Sequence, residues 1–214
     1  MRENVLEALQ KLRQQQKRNF SQTVDLIVIL KDLDIKKTEN QIEAFITLPH
    51  VFKKKKICAF VGQESFDEAK KVCDEAILND DFVKFAGNKK LAKKLVTDFD
   101  FFIAQANIMV NVASAFGKVL GPKGKMPNPK AGAIFPPKSP LKPLYDKLQK
   151  TVHLKIKTCL AVQLCVGTES IKDEEIADNV MAVYDYLVSH LPNEERSIKA
   201  VFLKLTMSEP VRIK

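Results

Sequence analysis

The segment KICAFVGQESFDEAKKVCDEAILND, residues 56–80, sets the architecture of the middle of the chain. It opens with KICAFVG, a short apolar run that ends in glycine and is typical of a buried strand. Residues 64–80 follow with apolar side chains at helical spacing, which predicts a helix. The side chains that set this spacing are Phe66, Ala69, Val72 and Ala76. A strand that leads directly into a helix is the first half of a β–α–β unit.

The same alternation continues along the chain. FVKF (82–85) and DFFIAQA (100–106) are predicted strands, and helices are predicted over 87–99, 108–120 and 139–150. The residues expected to face the core from the first two of these helices are Leu91, Leu95, Val96, Val112, Ala115 and Val119. Alternating strands and helices predict a parallel sheet, because parallel strands need a crossover connection between them.

The two ends of the chain show a different pattern. A helix is predicted over residues 2–17, and strands are predicted over 23–30 and 41–48. The strand over 23–30 carries apolar residues on both faces, which predicts that it is well buried. Because a connection of about ten residues joins the two strands, we expect them to form an antiparallel pair.

A similar pattern returns after residue 150. Strands predicted over 151–158 and 159–167 are expected to pair with each other, and a long helix is predicted over 168–191. Ser170 is the predicted cap of this helix. The apolar stripe of the helix consists of Ile176, Val180, Val183, Tyr184 and Leu187. A strand, a tight SEP turn and a basic tail complete the pattern over residues 198–214.

Together these patterns predict an α/β protein with one domain inserted into another. Residues 1–50 and 150–214 are expected to form a discontinuous α+β domain with an antiparallel sheet. Residues 51–149 are expected to form an inserted Rossmann-like α/β domain with a parallel sheet. Two short crossings, near residues 50 and 150, then act as a hinge unless the domain interface is large.

Charge is the feature of the composition that bears most on function. The 214 residues carry a formal net charge of +9, which favours a polyanionic partner such as nucleic acid or, less often, an anionic membrane surface. The chain has no tryptophan and few aromatic residues beside its lysines, which argues against a stacking platform for single strands. No apolar run approaches the roughly 20 residues that span a bilayer, and the N-terminus lacks a signal-peptide pattern, so an intracellular protein is expected.

The sequence contains no recognisable metal site or catalytic constellation. The four cysteines form no CxxC pair and the three histidines are far apart, so reduced core thiols and no metal are predicted. A phosphate loop would need glycine and a hydroxyl residue where Val119 and Met126 stand. The glycine pattern of a dinucleotide site and the GxSxG elbow of hydrolases are also missing. We therefore predict no catalytic residues and no cofactor.

The loop VLGPKGKMPNPK, residues 119–130, is rigid and positively charged. Proline fixes φ and glycine permits tight turns, so the loop presents backbone N–H groups in a fixed arrangement. Its lysines and a preceding one, Lys118, Lys123, Lys125 and Lys130, could meet phosphates. A rigid crossover with solvated lysines fits the same residues equally well.

The segment LGPKGKMPNPKAG (120–132), which includes most of this loop, resembles the signature of the L1 family of large-ribosomal-subunit stalk proteins. The resemblance extends over nearly the whole chain, in the order that the family shows. Its other segments are KRNFSQTVDLIVILKDLD (17–34), LPH (48–50), DFFIAQA (100–106), VGTESIKDEEIADN (166–179) and VFLKLTMSEPVRIK (201–214). The phrases RNFSQ and DFFIAQA, and the short C-terminal form, are similar to the archaeal branch.

The resemblance implies a structural constituent of the large ribosomal subunit in the cytoplasm. Such a protein binds the mobile stalk of large-subunit rRNA beside the tRNA exit site and assists the release of deacylated tRNA. Many members also repress translation by binding their own mRNA. The implied partners are therefore stalk rRNA, exit-site tRNA and that mRNA, with no membrane and no cofactor, and the protein is expected to be a monomer off the ribosome.

The resemblance further implies which residues contact RNA. Carried over by motif, they are Phe20, Thr23, Asp25, Thr206 and Met207, with Ser208 in place of the family's usual glycine. Phosphate contacts and salt dependence are expected from Lys17, Arg18, Lys31, Lys155 and Lys204. The resemblance places the loop of Lys123 and Lys125 in the inserted domain, away from the main rRNA surface, so a structural turn is expected there first. A secondary contact of Lys123 and Lys125 with tRNA or rRNA is the second expectation.

The residues leave other roles and other functions open. Phe20 also fits a core position ahead of a strand, and Met207 fits a core position at a strand end. Thr23 and Asp25 also fit ordinary strand-surface positions. Compared with the family's glycine, Ser208 adds either a Cβ that crowds an RNA backbone or a hydroxyl that bonds to it. A nucleotide-dependent transferase built on the middle unit and a DNA-binding protein are the alternative functions.

Overall fold

The computed structural model describes residues 1–16, 18–34, 41–137, 139–157 and 159–214. Contacts divide the chain into two compact units. The first unit consists of Met1–Lys53 and Lys150–Lys214, and the second of Lys54–Gln149. Each unit has a hydrophobic cluster of its own.

Strands and helices follow one another along the chain in the following order. The strands are β1 (Thr23–Leu30), β2 (Ile42–Thr47), β3 (Ile57–Val61), β4 (Glu75–Leu78), β5 (Phe101–Gln105), β6 (Ile134–Phe135), β7 (Thr151–Ile156), β8 (Ala161–Thr168), β9 (Ile198–Leu205) and β10 (Val211–Arg212). The helices are α1 (Arg2–Arg13), α2 (Phe66–Val72), α3 (Phe82–Gly87), α4 (Lys89–Asp98), α5 (Met109–Leu120), α6 (Lys142–Lys150) and α7 (Asp173–His190).

The first unit is built on an antiparallel sheet with strand order β10–β9–β1–β8. Successive residues of β1 alternate between buried and half-buried, because one face of the sheet packs on the core and the other does not. The helices α1 and α7 supply the opposite side of that core through Val5, Leu9, Leu12, Val180, Val183 and Leu187.

Two predicted strand pairings in this unit are wrong. β1 does not pair with β2, and β7 does not pair with β8. Instead β2 and β7 form a separate two-stranded antiparallel sheet, with Ile42 opposite Ile156 and Thr47 opposite Thr151. These two strands flank the second unit in sequence, so each finds its partner across the insertion rather than across the nearest connection.

Other local predictions in this unit also need correction. The predicted first helix extends to residue 17, but α1 ends at Arg13, one residue after its last buried side chain, Leu12. Ser170 does not cap α7, which begins after Lys172; its hydroxyl lies 2.8 Å from the hydroxyl of Thr168 instead. β1 is buried on one face only, since Ile27 and Ile29 remain half-buried.

The second unit contains a parallel sheet with strand order β4–β3–β5–β6. Its core is rich in phenylalanine: the ring of Phe60 stacks on Phe102 at 5.6 Å between centroids and lies 4.8 Å from Phe116. A parallel sheet here and an antiparallel sheet in the first unit confirm the predicted α/β class.

The predicted order of strand and helix is wrong at two places in the second unit. The helix predicted over 64–80 is the shorter α2, followed by strand β4. The strand predicted over 82–85 is the helix α3, because Phe82 and Phe85 lie one helical turn apart and both contact Phe116. Val83, between them, is 78% exposed.

Three predicted core positions on the helices also differ from the structure. Leu91 is half exposed, because α4 packs through Ala92, Leu95 and Val96. On α5, the buried positions are Val112, Phe116 and Leu120, while Ala115 and Val119 pack at the margin of the cluster.

Candidate nucleic-acid interface

Two distant segments meet at one end of the antiparallel sheet. β1 begins where β9 ends, because the strands are antiparallel with Val24 opposite Leu205. The backbone N–H of Thr23 donates a hydrogen bond to Oγ1 of Thr206 at 3.1 Å, and the two hydroxyls lie 3.0 Å apart. The predicted N-terminal and C-terminal contact residues therefore belong to one surface.

Two large apolar residues near this threonine pair in the sequence are exposed, Phe20 ahead of Thr23 and Met207 after Thr206. Phe20 is 51% exposed and Met207 is 61% exposed. Neither residue fills the core, so the alternative core roles for these two residues are wrong. We call this end of the sheet, formed by Phe20, Thr23, Asp25, Lys204, Thr206 and Met207, the threonine surface.

Asp25 and Lys204 are opposite each other in the register of β1 and β9. Burial raises the pKa of Asp25, while the Lys204 ammonium and hydrogen bonds from Thr23 and Cys165 oppose the rise. Both residues of the pair are half-buried, so a charged acceptor and a charged donor lie close to the hydroxyls.

Ser208 directs its hydroxyl into its own turn. Oγ of Ser208 accepts the backbone N–H of Leu205 at 2.7 Å and lies 3.3 Å from the carbonyl oxygens of Leu205 and Glu209. The side chain thus closes the turn that carries Thr206 and Met207.

The predicted cations are only partly gathered at this surface. Arg18 is exposed and lines a cleft of about 290 Å³ with Glu169 and Leu205, and Lys204 belongs to the threonine surface. Lys31 follows the other end of β1, where its N–H donates to the carbonyl of Ser197. Lys155 is on β7, outside the four-stranded sheet, and Lys17 lies outside the described residues.

Three residues that support this surface were not predicted as site residues. Gln22 is 2% exposed, and its side-chain oxygen accepts the N–H of Met207 at 3.0 Å. Its side-chain nitrogen donates to Glu169 at 3.1 Å, and Glu169 accepts the N–H of Gln22 at 2.9 Å. Arg13 holds the loop that carries Glu169, because its guanidinium donates to the carbonyls of Glu169 and Ile171. Single polar residues in loops carry no periodic signal, so only their place within the family-like segments could have drawn attention to Gln22 and Glu169.

Two lysines of the loop over residues 119–130, Lys123 and Lys125, have a structural role in the second unit. The Lys125 ammonium donates to the carbonyls of Val96 at 2.9 Å and Phe99 at 2.6 Å, and Lys123 donates to Oγ1 of Thr97 at 2.9 Å. The two Lys125 bonds satisfy carbonyls at the C-terminal end of α4. Burial lowers the pKa of Lys125. Gly124 adopts a φ of 64°, which favours glycine in this turn.

Other chemistry is sparse in the part of the chain that the structure describes. No group of three or more histidine, cysteine or acidic residues there could hold a metal ion. Burial raises the pKa of Cys73 to about 12 and that of Cys58 well above its ordinary value, which disfavours the thiolate form of both. Among the same residues, no helix has the length and apolarity to cross a membrane.

Comparison with known proteins gives a consistent result. Residues 12–209 match the model of the family described as "Ribosomal protein L1p/L10e family". The chain is 39% identical to the large ribosomal subunit protein uL1 of Methanobrevibacter smithii, over 100% of both chains. It is 36% identical to the uL1 protein of Pyrococcus abyssi over 100% of this chain and 96% of that one, and 38% identical to that of Nanoarchaeum equitans over 97% and 98%.

Proposed function

The chain belongs to the ribosomal protein L1p/L10e family, and we propose that it binds the stalk segment of large-subunit rRNA through the threonine surface. As a member of this family it is a structural constituent of the large ribosomal subunit in the cytoplasm, binds ribosomal RNA and is not an enzyme. The observation that carries the proposal is the meeting of Thr23 with Thr206 beside the exposed Met207.

The side chains of this surface suit folded RNA. Proteins recognise such RNA through shape, 2′-hydroxyls and phosphates more than through base edges in a groove. The Thr23 and Thr206 hydroxyls can each bond a 2′-hydroxyl, and Phe20 and Met207 can lie against ribose or base faces. A wholly phosphate-binding surface would need neither exposed apolar side chain.

The charged residues of the surface have two proposed roles: cations attract phosphates, and a carboxylate accepts hydrogen bonds from the RNA. Lys204 and Arg18 attract phosphates, which makes binding weaken as salt is added. Asp25 would repel a phosphate, but its carboxylate can accept a hydrogen bond from a 2′-hydroxyl or a base amino group. Lys31 and Lys155 serve as proposed contacts at longer range along the RNA, and Lys17 is a further proposed phosphate contact.

We also propose the two further activities that the family resemblance implies. The protein assists the release of deacylated tRNA from the exit site, and it represses translation by binding a stalk-like structure in its own mRNA. Support for repression comes from the surface itself, since any RNA that presents the same ribose and phosphate arrangement fits it. One surface then serves both RNAs, so rRNA and mRNA compete for it. We also propose that the protein is a monomer off the ribosome.

The deciding experiment is binding to the isolated stalk segment of large-subunit rRNA across a salt series. Tight binding that weakens with salt, and that weakens further in Met207→Ala, supports the proposal. Val83→Ala in the second unit is the control, because Val83 is also an exposed apolar side chain. Binding no tighter than to a random hairpin would overturn the proposal, and preference for duplex DNA as competitor would favour the DNA-binding alternative.

A further inference from the structure

We propose that Gln22 and Glu169 form a positioning pair, which fixes the Met207 turn against β1 so that RNA meets a preformed surface. This inference rests on the proposed function of the threonine surface. It assigns a role to two residues that do not themselves contact RNA in the proposed complex.

Three hydrogen bonds join the two residues of the pair. Gln22 Nε2 donates to Glu169 Oε1, the N–H of Gln22 donates to Glu169 Oε2, and the N–H of Glu169 donates to the carbonyl of Gln22 at 3.0 Å. The side-chain oxygen of Gln22 remains for the N–H of Met207. A buried amide whose donor and acceptor are used on different segments fixes those segments relative to each other.

The backbone of Met207 is tied to the pair by this contact. Within the described part of the chain, Met207 makes no hydrogen bond other than the one to Gln22. The Ser208 hydroxyl bonds only to Leu205 and Glu209, which belong to the same turn. Ser208 therefore sets the internal shape of the turn. Gln22, through Met207, and Thr23, through Thr206, hold the turn beside β1.

The other end of the pair is anchored on both helices of the first unit. The Arg13 guanidinium, at the end of α1, donates to the carbonyls of Glu169 and Ile171 and to the carboxylate of Asp173 at the start of α7. A continuous set of bonds thus runs from α1 through Glu169 and Gln22 to Met207. A surface held in this way loses little conformational freedom when RNA binds, which favours affinity.

The test exchanges the two side chains. Gln22→Glu places two carboxylates together and removes the donor, so we expect stalk RNA to bind about tenfold more weakly, a loss comparable with one hydrogen bond. The double variant Gln22→Glu with Glu169→Gln restores one donor facing one acceptor at unchanged net charge. We expect it to recover affinity to within about threefold of the wild type.

Two controls separate positioning from other effects. Gln10→Glu makes the same chemical change at an exposed site on α1, and controls for added negative charge. Combining Gln22→Glu with Met207→Ala tests the route of action: if Gln22 acts through the Met207 turn, its substitution costs little further affinity once Met207 is absent. Melting temperatures are measured in parallel, so that only folded proteins are compared. If Gln22→Glu does not fold, Glu169→Gln replaces it as the single variant.

Failure of the positioning role can be distinguished from failure of the proposed function. Wild-type binding to stalk RNA with no greater loss in Gln22→Glu than in Gln10→Glu would overturn the positioning role alone. The positioning role would also be overturned if the double variant Gln22→Glu with Glu169→Gln recovered the melting temperature but not the RNA affinity. Wild-type binding no tighter than to a random hairpin would overturn the proposed function and this inference together.

Discussion

The hydroxyls of Thr23 and Thr206 lie 3.0 Å apart, although 183 positions separate them in the sequence. They meet because β1 and β9 are antiparallel neighbours, so that the start of one lies beside the end of the other. The whole second unit, residues 54–149, lies between them in the sequence. The threonine surface therefore forms only when both ends of the chain have folded together.

This relationship predicts that the two threonines act as a unit. Thr23→Ala and Thr206→Ala are each expected to weaken stalk RNA binding by about 0.5–1.5 kcal/mol, the usual contribution of one hydrogen bond. Because the hydroxyls bond each other, the double variant should lose less than the sum of the single losses. The measurement is a double-mutant cycle of RNA affinity, with Thr47→Ala, an exposed threonine on β2, as control. Strictly additive losses would contradict a shared role.

A second prediction concerns Asp25 and the pH dependence of the free energy of unfolding. Burial raises its pKa in the folded protein, so the folded state holds the proton more tightly than the unfolded state does. The stabilisation from this group is complete below the ordinary pKa of aspartate and is lost as pH rises through the raised value. Asp25→Asn should therefore increase the free energy of unfolding at pH 7, and this gain should shrink as pH falls towards 3.

Urea unfolding of the two proteins at several pH values measures this gain, while RNA affinity is followed in parallel. We expect Asp25→Asn to weaken binding even though it stabilises the protein, since the amide replaces one of two acceptor oxygens with a donor. Equal stability at pH 7 would show that Lys204 already offsets the burial of the carboxylate.

The fold class was predictable because its signals are local. The apolar run of β3 and the helical stripe of α7 each lie within one stretch of sequence, and the structure confirms both. Strand partners are not local. β2 pairs with β7 across the entire second unit, which no connection length near β2 can reveal.

Short elements were predicted wrongly for a different reason. α3 has only six residues, and the pair Phe82 and Phe85 suits a strand by composition as well as a helix by spacing. Packing of both rings on Phe116 settles the choice in favour of the helix. At the candidate site, the family-like motifs supplied Thr23 and Met207, but the Gln22 contact to Met207 exists only through strand register and could not be predicted from either segment alone.

Ser208 supplies a further prediction, on stability. Ser208→Ala removes the hydroxyl that accepts the N–H of Leu205 and should lower the free energy of unfolding by about 1 kcal/mol. Ser208→Gly should lower it further, since glycine also increases the freedom of the unfolded chain. Urea unfolding measures both, with Ser21→Ala, an exposed serine in the loop before β1, as control. A stability of Ser208→Gly equal to the wild type would mean that the hydroxyl bonds contribute nothing to the turn.

Lys125 carries the last prediction, which separates a structural lysine from an RNA-binding one. Lys125→Met removes the ammonium that donates to the carbonyls of Val96 and Phe99, and leaves two acceptors at the end of α4 without that donor. We expect the free energy of unfolding to fall by about 1–2 kcal/mol, as for hydrogen bonds from a charged donor at a half-exposed position. Lys130→Met, at an exposed lysine of the same loop, is the matched control for the loss of one charge.

Hydrogen exchange of the α4 amides, together with urea unfolding, locates the effect of Lys125→Met in that helix. Stalk RNA affinity of the folded variant should match that of Lys130→Met, because both lose one positive charge from the second unit. If Lys125→Met leaves α4 unchanged but weakens RNA binding well beyond Lys130→Met, its ammonium leaves the carbonyls to contact RNA, and the loop lysines belong to the nucleic-acid interface after all.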